Sequence, residues 1–165
     1  MAAAPIVFSH WYQLIEGLQA SPMEFYSSVE NAVGRRELPD TKLGRVDWKE
    51  GGVFSAKREY LRARRREYIF DICGAPFGDG FFISWWLGEK PSGLLALVLM
   101  IPFVGVWIRR FLKPVTYYQI DTALMFQTAI HGAVIEVLDG LTTARGLRAL
   151  TELERRPIQR EYFQR

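Results

Sequence analysis

Between Ser9 and Ala20 the apolar residues Trp11, Leu14, Ile15 and Leu18 recur at i, i+3, i+4 and i+7, with Gln13, Glu16 and Gln19 opposite. That spacing predicts a short amphipathic helix. Ser21-Pro22-Met23-Glu24 then reads as a helix start, with Ser21 as N-cap, Pro22 in the first turn and Glu24 completing a capping box. The predicted helix covers 22–37, with Phe25, Val29 and Val33 on its apolar face. Arg35 and Arg36 suit its negative end, and Pro39 lies just beyond it.

From Lys42 the period changes to two. Leu43–Trp48 reads as a strand, and Lys49-Glu50-Gly51-Gly52 as a turn. Val53–Ile72 contains neither Gly nor Pro. Tyr68–Ile72 is β-rich, whereas Lys57–Arg66 fits helix or strand, and the turn-like flanks favour strand. Gly74–Gly80 reads as a loop and Phe81–Leu87 as a third strand. The fold class is therefore α+β, with N-terminal helices on a small antiparallel β-meander in a domain spanning 1–90.

The next stretch breaks the pattern. Gly93–Ile108, GLLALVLMIPFVGVWI, carries no charge over sixteen residues. As a helix it is roughly 24 Å long, and a helix over 91–112 reaches about 33 Å, against a hydrocarbon core of about 30 Å. The expected anchor comprises Leu94, Leu95, Leu97, Val98, Leu99, Met100, Ile101, Pro102, Phe103 and Trp107. Trp85 and Trp86 before it, and Tyr117 and Tyr118 after it, are expected as interface aromatics. Pro102 and Gly105 leave two topologies open, a spanning helix or a re-entrant hairpin. A buried core helix and an oligomerisation helix are the competing readings.

Residues 113–165 read as an amphipathic helical region. Tyr117–Leu138 places Ala123, Phe126, Ile130, Ala133 and Val137 on one stripe, opposite Asp121, Thr128, Glu136 and Asp139. Thr143–Arg156 is expected as a further short helix ended by Pro157.

Charge alters this picture in one place only. The chain of 165 residues has a net charge of +3, a mild excess that does not call for nucleic acid. Lys57–Arg66, however, holds six cations and one acid. On a strand Arg58, Arg62, Arg64 and Arg66 share a side with Tyr60 and Tyr68, a candidate anion-binding face for lipid headgroups or an acidic partner. A solvated, internally paired face is the alternative.

Catalytic chemistry finds no foothold. His10 and His131 are far apart and Cys73 is the single cysteine, so neither a metal site nor a disulfide is expected. No nucleophile elbow, phosphate loop or carboxylate pair emerges, and no cofactor is expected. The first cation is Arg35, so the start of the sequence does not read as a secretory signal.

The expected function is a non-enzymatic, membrane-anchored scaffold or accessory subunit of a larger complex in the cell membrane, its N-terminal domain cytoplasmic. Its expected partners are the lipid bilayer and other membrane subunits, or a second copy through helix 117–138. Nucleic acid is not expected. The alternative is a soluble or peripheral module that binds polyanions, either anionic lipid or nucleic acid, through the basic strand.

Overall fold

A computed structural model describes residues 6–49, 57–90 and 116–159. The elements run β1 (Ile6–Glu16), α1 (Pro22–Gly34), β2 (Thr41–Lys49), β3 (Lys57–Arg65), β4 (Tyr68–Phe77), β5 (Gly80–Glu89), α2 (Tyr117–Ala144) and β6 (Ile158–Gln159). The class is α+β, as the periodicity predicts. The strands form one six-stranded sheet in the order β2-β3-β4-β5-β1-β6, with every neighbouring pair antiparallel. The membrane anchor expected at 91–112 lies outside the described residues.

One helix, not two, precedes the meander. Residues 9–16, expected as helix, are strand, because β1 pairs with β5 from Ile6↔Glu89 to Glu16↔Gly80. Ser9, Trp11 and Ile15 face the core and are buried, while Tyr12 and Leu14 point away from it. A period of two thus underlies residues whose spacing also satisfies a helix, and sheet pairing decides between them.

The meander is tighter than the turn signals suggest. Arg66 and Glu67 alone separate β3 from β4, with Arg66 at φ +52°. The expected loop at 74–80 is mostly strand: β4 continues to Phe77, pairs with Gly80, and turns at Gly78-Asp79. Pro76 is tolerated because the β3 pairing of β4 runs only from Tyr68 to Ile72, so the missing N–H faces no ladder there.

Helix caps also differ from expectation. Ser21 occupies the N-cap of α1 with extended φ/ψ, but its side chain makes no cap hydrogen bond. The reciprocal capping box is instead at Thr116, whose hydroxyl accepts from the Gln119 N–H while its own N–H donates to Gln119 Oε1. α2 runs past Leu138 to Ala144. There Gly146 at φ +66°, with Gly146 N–H on Thr143 O and Leu147 N–H on Thr142 O, closes a Schellman stop. The further helix expected over 143–156 does not form: Thr143 and Ala144 end α2, the chain turns at 152–155, and β6 then pairs with β1.

Both helices cover the same face of the sheet. α1 contributes Phe25, Tyr26, Val29 and Val33, and α2 contributes Phe126, Ile130, Val134 and Leu138, to a core completed by Trp11, Phe70, Ile72 and Trp85. α1 comes so close to β4 that a Cβ on Gly74 would lie 2.5 Å from the Phe25 ring. The core therefore draws on residues from both sides of 91–115.

Candidate membrane-facing surface

The opposite face of the sheet carries no helix among the described residues. Register places its side chains in cross-strand rows: Gly44, Arg62, Asp71, Trp86, His10 and Ile158 form one, and Lys42, Arg64 and Ile69 part of another. Rings and aliphatic groups stand on the β5–β1–β6 half. Tyr12, Leu14, Trp86 and Ile158 are exposed there, and the His10 ring stacks on Trp86 at 4.8 Å. The β2–β3 half is cationic, with Lys42, Arg58 and Arg64 exposed and Trp48 beside them.

The four arginines expected to bind anions are not equivalent. Arg58 and Arg64 are exposed on this open face. Arg62 is instead part of the fold: its Nε and Nη2 donate to the two carboxylate oxygens of Asp71, both at 2.7 Å, and its guanidinium sits 5.5 Å from the Trp48 ring. Arg66 lies in the β3–β4 turn, off the strand face, 3.6 Å from Asp40. Tyr68, placed on the same side by strict alternation, points into the core and donates its hydroxyl to Gln119 O. The two-residue turn shifts the alternation between β3 and β4.

Of the four expected interface aromatics, Trp86, Tyr117 and Tyr118 are exposed, at 43 %, 85 % and 72 %. Trp85 is not an interface residue. Alternation turns it into the core, where it is fully buried against Phe70 and His131. The Trp85 indole donates to His131 Nδ1 at 3.0 Å, which fixes the proton on Nε2, and Nε2 in turn donates to Arg155 O at 2.8 Å.

This histidine ties the C-terminal stretch down. Arg155 forks onto Asp139 of α2, and Glu154 O accepts from Trp11 Nε1. Burial lowers the His131 pKa, and the Arg155 charge adds to that, against the Arg155 hydrogen bond. The unfolded chain then binds the proton more readily than the native one. Stability is expected to be complete above about pH 6.5 and to fall as pH drops through that unfolded value. Urea midpoints between pH 7.5 and 5.5 read this directly, and a His131→Gln variant should flatten the profile over that window.

The apolar stripe of α2 is spent in this core. Ala123, Phe126, Ile130 and Ala133 are buried, with Val134 and Leu138 rather than Val137 completing it. What α2 presents outward is Tyr117, Tyr118 and Met125. By length and composition α2 could cross a membrane, yet it packs on the sheet and on α1, where Glu136 bridges Arg35 and Arg36. Among the described residues no three His, Cys, Asp or Glu side chains converge as metal ligands. Cys73 is buried on β4, and burial raises its thiol pKa, which disfavours the thiolate. Compared with known protein families, with curated proteins and with solved structures, the chain matches none.

Proposed function

We propose that the protein is a non-catalytic, membrane-attached accessory module, anchored through 91–112 and lying wholly on one side of the bilayer. One observation carries this reading: both ends of the apolar stretch converge. Glu89, the last residue of β5, is paired with Tyr68, and the Tyr68 hydroxyl donates at 3.0 Å to Gln119 in the first turn of α2. The Lys90 N–H donates at 2.8 Å to Glu67 O. A single crossing would put its two flanks on opposite sides of the membrane, and flanks held together in one fold favour the re-entrant topology. The short apolar run and the interior Pro102 are in keeping with that.

The same end gathers groups suited to a headgroup region. Arg64, Arg65 and Arg66 border the β3–β4 turn, Lys90 follows β5, and exposed Tyr117 and Tyr118 open α2. Cations flanking a membrane segment favour the cytoplasmic side, which supports a cytoplasmic body.

Leu97→Arg tests the anchor. An arginine within an inserted apolar segment costs at least about 2.5 kcal/mol. The wild type should stay in the membrane pellet after alkaline carbonate, and the variant should be released with its near-ultraviolet circular dichroism intact. Release of the wild type by carbonate or salt would overturn the reading in favour of the peripheral alternative. A variant that is soluble but unfolded would identify 91–112 as buried core.

A further inference from the structure

We infer that the open face of the sheet is a docking surface for an anionic lipid leaflet, so that the body lies flat on the membrane rather than hanging from its anchor. The inference rests on the membrane attachment proposed above and adds the orientation and the lipid class. A sheet face left in water ordinarily alternates toward polar residues. Here Tyr12, Leu14, Trp86 and Ile158 are 55 %, 44 %, 43 % and 50 % exposed on one contiguous half. Exposed apolar area of this kind marks an interaction surface.

Charge selects the partner. Beside the aromatic half stand Lys42, Arg58 and Arg64, all exposed. Among the described residues the acids on the same face are Asp71, tied by Arg62, and Glu16 at the far corner of β1. Lys42 and Arg64 are directly opposite each other across β2 and β3. Two like charges facing each other gain nothing for the fold and suit a dense field of negative charge. Rings and aliphatic groups on the β5–β1–β6 half, and cations with Trp48 on the β2–β3 half, match a leaflet whose interface takes Trp and Tyr while its anionic headgroups take Lys and Arg. A single-stranded nucleic acid is better served by cations that track its backbone along the stacking rings.

Position points the same way. Trp86 precedes by three residues the Glu89 at which the chain heads into the apolar stretch. A body tethered there has this face within reach of the leaflet, with α1 and the part of α2 beyond its first turn on the opposite side of the sheet.

The test is hydroxyl-radical footprinting of the full chain reconstituted in phosphatidylcholine vesicles, with and without phosphatidylserine. Labelling of Tyr12 and Trp86 should fall in the phosphatidylserine vesicles, while Met125, exposed on the helical side, should label equally in both. In the Lys42→Glu/Arg64→Glu variant the protection should be lost, with affinity for the anionic leaflet falling at least about fivefold for each cation removed. That variant keeps like charges opposed, so its denaturation midpoint should match the wild type. Carbonate resistance is measured on the same samples. An anchored chain whose Tyr12 and Trp86 label equally in both vesicle types overturns this inference and leaves the anchor standing. A carbonate-extractable chain whose face is still protected, in a salt-sensitive way, overturns the anchor and upholds the lipid contact. Protection that appears without vesicles and grows with protein concentration overturns the inference in favour of a second copy.

Discussion

Trp85→Ala is expected to destabilise the fold by about 4 kcal/mol, a large part of the 5–15 kcal/mol available to a domain. The indole is fully buried, tilted against Phe70 at 4.6 Å and edge-on to His131 at 5.5 Å, so its removal opens a cavity between the sheet and α2. The hydrogen bond to His131 Nδ1 goes with it. Trp85→Phe separates the two contributions: it keeps most of the ring volume but leaves the part-buried His131 Nδ1 without its donor, at a cost of about 1 kcal/mol. Urea denaturation of both variants gives the ordering. Were Trp85 an interface aromatic, as its place before the apolar run suggests, neither change would shift the midpoint of the extramembrane fold. Trp86→Ala is the internal control, since that ring is 43 % exposed on the open face.

The adjacent pair Trp85-Trp86 illustrates where sequence reading stops. Two tryptophans side by side before an apolar run look alike in one dimension, but a strand sends them to opposite faces. Knowing the strand assignment of 81–87 was enough to separate them; knowing which face the helices cover was not in the sequence. The meander strands and α1 were legible because β-branched and aromatic runs, and a clean 3.6-residue stripe, agree with the tertiary outcome there. β1 was not, because Trp11, Leu14, Ile15 and Leu18 satisfy a helical spacing while Ser9, Trp11 and Ile15 satisfy a strand, and only pairing with β5 chooses between them. The end of α2 had a readable sign in Gly146, a left-handed stop within the stretch 143–156. The convergence of Glu89 and Gln119 on Tyr68 had none, since it depends on a contact between residues 68 and 119.

The basic cluster Lys57–Arg66 carries the second large effect. Asp71→Ala is expected to destabilise the fold by about 3 kcal/mol. Asp71 is only 6 % exposed, and its carboxylate takes both prongs of Arg62, so removing it leaves a guanidinium largely desolvated. The 23 % exposure of the Arg62 side chain allows some rehydration and keeps the cost at the lower end for a broken buried pair. Arg62→Glu should be worse than either alanine variant, because it sets two carboxylates against each other across β3 and β4. Replacing both partners, as Arg62→Met with Asp71→Leu, should recover most of the loss, since apolar groups of similar volume need no partner. Denaturant midpoints for Arg62→Met, Asp71→Leu and the double variant close the cycle, and a double variant no more stable than Asp71→Leu alone would contradict the pairing. Reversing Arg62, Arg64 and Arg66 together therefore confounds binding with folding. Arg64 can be reversed with little effect on the fold and Arg62 cannot, although both stand on the same side of the same strand.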